Sequence, residues 1–314
     1  MRSGHDTPPL RVWVYTALIL GAVLVLLGNE DRVSALRRIS ESRAAEYMNL
    51  QRLDHHSAGQ LEIVALGSSK VFYAVDYDGI FAQRLANEER PVAFRRLTWS
   101  EARAADMEAV LQRVVGHPPD WLLVESDLLL FDHSARFPIR DHLRPLEMRL
   151  NSLFTPASAQ ETLKTNLEQN DGQDSFPTEK ECIARQAPDM RLVYAMHVVT
   201  WKASTARQRE RYLKWLRVLR DRGTKVVLLG IPRAPWAQAV FPARLTAANQ
   251  AVLKSLVNDE GFELWQSRPL VAAAFCDEAH MSAVGRAQFS SWLAQRLVSS
   301  VNSPVVELVE QHVR

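Results

Sequence analysis

Cysteine is almost absent: Cys182 and Cys276 are the only two in 314 residues. With no CxxC pair and no Cys/His cluster, the chain carries neither a disulfide scaffold nor a structural zinc site, and at most one bridge can form. A charge excess is missing too. Thirty-eight Lys and Arg against 36 Asp and Glu leave +2, so no global excess points to nucleic acid as a partner. No GxGxxG, Walker A or HExxH pattern occurs, which removes the usual signatures of a dinucleotide, a nucleoside triphosphate or a catalytic zinc. Neither a metal nor an organic cofactor is expected. Charged residues at 24% and hydrophobic ones at 47% are near globular averages and exclude a largely disordered, collagen-like or multi-span membrane chain. The length suits two domains or one large α/β domain.

One long apolar run is present. From Val12 to Leu27, VWVYTALILGAVLVLL carries no charge. At 1.5 Å per residue this spans about 24 Å, which its flanks extend to the lower limit of a membrane-crossing helix. Arg2 and Arg11 precede it while Glu30 and Asp31 follow, so the positive-inside rule keeps the N-terminus in the cytoplasm and exports the rest. A cleaved signal peptide is the alternative, but no clear A-x-A site follows Leu27. The expected organisation is a cytoplasmic N-terminus (1–11), a transmembrane signal anchor (12–28), a charged helical stalk (29–58), an α/β domain (59–300) and a tail (301–314).

The α/β reading rests on short apolar runs alternating with helical periods. Candidate strands are Leu61–Gly67, Pro91–Leu97, Asp120–Ser126, Thr224–Pro232 and Phe262–Gln266. Helical patterns lie at Glu101–Val115, Thr205–Arg222, Leu245–Asn258 and Ser282–Val298. Strands separated by helices of this length predict parallel pairing with right-handed crossovers, a doubly wound flavodoxin-like sheet. A polar stretch without a clean period, about 133–200, interrupts the rhythm and reads as an insertion over the functional edge.

In such sheets the chemistry lies at the carboxyl ends of the strands. The first strand ends in ALGSSK, placing Ser68 and Ser69 at a strand-to-helix turn. Taken alone, a serine there is an ordinary helix cap. Near the other end, CDEAHMSAVG sets Asp277 three residues before His280. A D-x-x-H pair can turn the carboxylate onto one ring nitrogen and leave the other facing a hydroxyl, the logic of a Ser-His-Asp triad.

Together the two motifs resemble the first and last blocks of the SGNH/GDSL hydrolase superfamily, over roughly residues 60–300. The resemblance implies Ser69 as nucleophile, Asp277 and His280 as acid and base, and the Ser69 N–H as one oxyanion donor. Two departures accompany it. The stretch FRRLTWSEA lacks the glycine of the second block, and VESD puts Ser126 where the third block has its oxyanion asparagine. Losing such a donor lowers turnover roughly 100–1,000-fold. The G-S-S first block and the anchor are similar to a membrane-anchored envelope-acylation branch, typified by DltD of teichoic acid D-alanylation and by alginate-type O-acetyltransferases. That likeness implies acyl transfer or esterase chemistry on a cell-envelope or secreted polysaccharide, at the bacterial inner membrane with a periplasmic domain, beside a membrane-bound O-acyltransferase partner. In an exported domain Cys182 and Cys276 can bridge, which would pin the insertion to the Asp277 loop.

Other features have plainer readings. Thr205–Arg222 sets Tyr212, Trp215, Leu216 and Leu219 on one face among arginines, either a crossover helix with a solvated basic face or a surface for anionic lipid or glycan. His55 and His56 lack further ligands at metal spacing. Lys70 and Arg96 lie near strand ends, where they either meet an anionic substrate or are surface residues. Two further functions stay open beside the enzyme: a non-catalytic SGNH-like glycan-binding or scaffold protein, and an unrelated α/β protein in which Ser69 and His280 lie far apart.

Overall fold

The computed structural model describes residues 10–28, 59–85, 91–99, 104–131, 182–183 and 185–301. The chain falls into two compact units, 1–47 with 134–169 and 48–133 with 170–314. Of the first, the described part is helix α1 (Leu10–Gly28), 19 residues with no acidic residue in its first turn and no basic one in its last. On the described side chains, which stop at Gly21, no helix is long and apolar enough to cross a membrane. The expected stalk, His55 and His56, most of the expected insertion and the tail beyond Val301 lie outside the described residues.

The second unit is an α/β domain. Strands β1 (Leu61–Ser68), β2 (Val92–Trp99), β3 (Trp121–Glu125), β4 (Lys225–Gly230) and β5 (Glu263–Gln266) form one parallel sheet in the order β2-β1-β3-β4-β5. This is the doubly wound flavodoxin-like order. Each expected strand appears, with slightly shifted ends. The central strands are apolar because both faces are covered. Ile63, Ala65, Leu123, Val227 and Leu229 enter one core cluster with Val71 and Ala74 of α2 (Ser69–Ala74), Phe81 of α3 (Asp78–Leu85) and Phe289, Leu293 and Leu297 of α10 (Ala283–Val301). Their neighbours Val64, Leu66, Leu122, Val124 and Leu228 are equally buried and face the other way, the side of α4 (Ala104–Gly116) and α7 (Ala206–Asp221), which pack on each other.

Three basic residues of α7 are already partnered by carboxylates. Arg211 and Lys214 bind the buried Glu108 of α4 at 2.6 and 3.0 Å, and Arg217 bridges Glu210 and Glu260. Tyr212, Leu213, Leu216 and Leu219 are buried. This is a crossover helix, started by a capping box between Thr205 and Gln208.

The end of the expected insertion is not an excursion. Helix α6 (Pro188–Val198) sends Tyr194 and Val198 into the main core cluster. Its periodicity is weak because Leu192, Val193 and Met196 are apolar yet exposed, which blurs the amphipathic pattern.

The chain passes from β1 to β2 on one side and then crosses to β3 on the other. The crevice at the carboxyl ends of β1 and β3 is therefore the topological switch point, where ligands bind in such sheets. Helix α10 is held against this end by Gly285, whose missing Cβ would lie 1.9 Å from the Ala274 carbonyl oxygen. Gly285→Ala is expected to destabilise the fold by about 2–3 kcal/mol, read as a lower urea midpoint at unchanged slope; an unchanged midpoint would show that the 272–274 turn yields freely.

Candidate active site

Gly67 begins the site. A Cβ there would lie 2.7 Å from Glu125 Oε2 and 2.1 Å from Val71 Cγ2, so only glycine lets the β3 carboxylate reach the turn after β1. Glu125 Oε2 accepts from the Ser68 N–H at 2.6 Å and from the Ser68 hydroxyl at 2.7 Å. The Ser68 oxygen in turn accepts from the Lys70 N–H, capping α2. Ser69 is thereby the first residue of α2, half-buried, and its own N–H has no partner among the described residues.

The D-x-x-H segment meets Ser69 from across the sheet edge. Asp277 Oδ1 accepts the N–H groups of Ala279 and His280 at 3.0 and 2.8 Å, folding the loop around the carboxylate. Its Oδ2 lies 2.7 Å from His280 Nδ1, and His280 Nε2 lies 2.8 Å from Ser69 Oγ. Burial pushes the Asp277 carboxyl up, but the His280 ring and the two backbone donors outweigh it and hold it below the ordinary carboxylate range. An ionised Asp277 makes Nδ1–H the donor, which leaves Nε2 as the acceptor for the Ser69 hydroxyl. Tyr73 packs its ring on His280 at 4.7 Å. The structure thus brings Ser69, His280 and Asp277 into one hydrogen-bonded chain, which an accidental pair of motifs does not predict.

Cys182 and Cys276 form a disulfide, next to Asp277 in sequence. Gln186 Nε2 donates to the Phe275 carbonyl, and Arg185 Nη1 lies 3.6 Å from Asp277 Oδ2. Cys182, Arg185 and Gln186 are therefore fastened to the loop that carries Asp277 and His280.

Ser126 lies one strand from Ser68, just past the Leu66–Val124 pair of β1 and β3. It is buried and its N–H is taken by the Leu229 carbonyl, so only its hydroxyl remains to give a ligand. The second-block position after Trp99 falls outside the described residues. Among the described residues, no group of three or more His, Cys, Asp or Glu could hold a metal ion.

Two expectations need correction. Lys70 and Arg96 are neither surface residues nor available to a substrate. Lys70 is buried, its Nζ donating to Asp127 at 2.7 Å and to the Ile231 carbonyl at 3.1 Å. Arg96 is buried against Asp78 and the carbonyls of Phe72 and Val75. A cation at the end of a parallel strand faces a low-dielectric layer and stays charged only when paired there.

Sequence reasoning missed Glu125, Asp127 and Arg233. Asp127 accepts from both Lys70 and Arg233, the latter at 2.5 Å. Arg233 is flanked by the rings of Phe131, Trp201 and Phe241 at 5.0–5.5 Å. The signal lay in VESD itself: two acids at and just past the end of an apolar strand, opposite a lysine two residues past the end of another.

The chain matches no protein-family model and no curated protein sequence. Among solved structures it is similar to a GDSL-like lipase from Bacteroides thetaiotaomicron, at 10% identity and TM-score 0.40, covering 84% of this chain and 99% of that one. It is also similar to Est24, a carbohydrate acetylesterase from Sinorhizobium meliloti, at 11% identity and TM-score 0.38, covering 77% and 100%. An M. smegmatis aryl esterase, in its inhibitor-bound form, gives 12% identity and TM-score 0.35 over 76% and 98%. These are likenesses of fold.

Two stability tests follow from this geometry. Asp127→Ala leaves two buried cations without their carboxylate and is expected to destabilise the fold by about 3 kcal/mol or more; a loss below about 1 kcal/mol, by urea denaturation, would show that water relieves them. The depressed Asp277 carboxyl contributes stability that is full above its unfolded value of about 3.9 and is lost as pH falls through its lower folded value. The midpoint difference between wild type and Asp277→Asn should hold steady above about pH 4 and narrow below it; a gap independent of acidification would deny the coupling.

Proposed function

We propose that this chain is an exported serine acyltransferase or acylesterase of the SGNH type, acting on ester groups of a cell-envelope or secreted polysaccharide. The observation that carries the reading is the contiguous chain from Ser69 Oγ through His280 to Asp277, with both links under 3 Å. In the proposed mechanism His280 Nε2 takes the Ser69 proton as Oγ attacks the acyl carbonyl, and Asp277 holds the imidazole and stabilises the imidazolium. The Ser69 N–H and the Ser126 hydroxyl receive the oxyanion. Protonated His280 then gives its proton to the leaving alcohol, and the acyl group rests on Ser69. Water completes hydrolysis; a sugar hydroxyl completes transfer.

The anchored location is part of the proposal. Its supports are the uncharged run Val12–Leu27, the basic residues before it and the acidic ones after it, together with a disulfide, which persists in oxidising compartments. The domain would stand on the periplasmic side of a bacterial inner membrane, where a membrane-bound O-acyltransferase could supply acyl groups. Ser126 in place of an asparagine donor favours a slow enzyme, and it is also the observation that would favour a glycan-binding scaffold.

The test is an acyl adduct. Full-length protein incubated with p-nitrophenyl acetate should gain about 42 Da by intact mass, and Ser69→Ala should gain none. His280→Ala should lose at least about 1,000-fold in ester turnover. Absence of both adduct and turnover in wild type would overturn the enzyme in favour of the scaffold.

A further inference from the structure

The carboxyl ends of β3, β4 and β5 frame a cleft of about 660 Å³ that opens beside Ser126. This volume is typical of small-molecule sites. Its walls come from the turns after the three strands and from two helices, α8 (Pro235–Ala239) and α9 (Ala243–Asn258).

Four carboxamides line it: Gln238 from α8, Asn249 and Gln250 from α9, and Gln266 from the end of β5. Asn249 decides their meaning. It is 8% exposed, its Oδ1 is wholly shielded, and that oxygen has no hydrogen-bond partner. A buried amide left unpaired works against folding, and protein interiors rarely keep one without a reason. Gln266 carries a second sign of fitting. Its side chain lies across Gly230, where a Cβ would come within 2.7 Å of Cγ, so the end of β4 is bare where Gln266 needs space.

The charges at this cleft are spent on one another. Among the described residues, Asp127 and Arg233 are the only charged ones lining it, and they are bonded at 2.5 Å. Lys70 joins Asp127 from beneath, and Glu125 adds the second negative charge nearby. Among the described residues two cations face two carboxylates, so they leave no surplus to attract an anion. Apolar surface from Phe241 and three prolines completes the walls. Amides both donate and accept, as sugar hydroxyls do, and apolar faces suit the C–H side of a pyranose.

We infer that this cleft is a saccharide subsite for an uncharged glycan, with Asn249 as its central hydrogen-bonding residue, and that it lays the chain beside Ser126 toward Ser69. The inference rests on the acyl-transfer reading only in calling the saccharide a substrate. It selects against anionic polymers, whose carboxylates or phosphates would find no unpaired cation among the described lining residues.

Binding is measured by calorimetry on the full chain carrying Ser69→Ala, so that no turnover intervenes. The probes are three neutral tetrasaccharides (cellotetraose, mannotetraose and chitotetraose) and one anionic one, tetramannuronate. At least one neutral probe should bind, and about ten-fold more tightly than tetramannuronate. Asn249→Leu should weaken that binding about ten-fold while leaving the melting temperature unchanged or higher, because it removes an unpaired buried amide. Gln266→Ala, at an exposed position, should weaken it several-fold. Failure of all three neutral probes, undiminished binding in both variants, or a preference for tetramannuronate would overturn the subsite. Saccharide binding without an acyl adduct in wild type would sink the catalytic reading alone, and an adduct without saccharide binding would sink the subsite alone.

Discussion

The carboxylate of Glu125 is the contact on which the site's geometry depends. It reaches the turn after β1 only because Gly67 has no side chain, and it takes both the N–H and the hydroxyl of Ser68. A charge-assisted pair of bonds to a half-buried serine fixes that residue's rotamer. The fixed hydroxyl is then free only to cap the Lys70 N–H. With the cap in place, α2 starts at Ser69 and its hydroxyl faces His280. Position at the sheet edge, rotamer of the neighbour and direction of the proposed nucleophile thus follow from one carboxylate on the adjacent strand. Gly67 lies in extended backbone, so its role is clearance rather than an unusual torsion.

The same strand end supplies the second carboxylate. Asp127, two residues beyond Glu125, holds Lys70 from α2 and Arg233 from the turn after β4. Three segments distant in sequence are tied beneath the crevice by paired charges whose desolvation is offset only while all three are present. Burial works against the charge on Arg233, yet Asp127, Tyr194 and Glu125 outweigh it and keep the guanidinium protonated. A network of this kind gives rigidity more than net stability, which is the property a preorganised site needs.

The fold was legible because its central strands are buried on both faces and therefore read as apolar runs, as in IVAL of β1 and VVLL of β4. Ser69, Asp277 and His280 stood out as candidates because Ser69 opens the helix after β1 and the other two lie in the loop just before α10, in motifs a few residues long. Glu125, Asp127 and Arg233 were not, since their partners are 57 and 106 residues away in sequence and spacing carries no sign of such pairs. Lys70 and Arg96 misled for the same reason. A lone cation in a sequence looks solvent-facing until the carboxylate that buries it is placed. Helix α6 was hidden by its exposed apolar residues, which make a packed helix read as irregular.

The loop bearing Asp277 and His280 has little regular structure of its own, so its order must come from elsewhere. A 3-10 turn at Ala272–Ala274 leads into it, and a bridge pairs Phe275 with Met281 across it. The Cys276 N–H donates to the His280 carbonyl at 2.8 Å, closing the loop on itself. The disulfide to Cys182 and the Gln186 contact hold its outer side, while Gly285 admits its backbone against α10. Glu278, between Asp277 and His280, is half-buried, and burial together with the Asp277 charge pushes its carboxyl up. Two carboxyls thus stand side by side in this loop, one held low and the other pushed up. The bridge, the disulfide and the glycine contact brace the loop from three directions, and the His280 ring is held against Ser69.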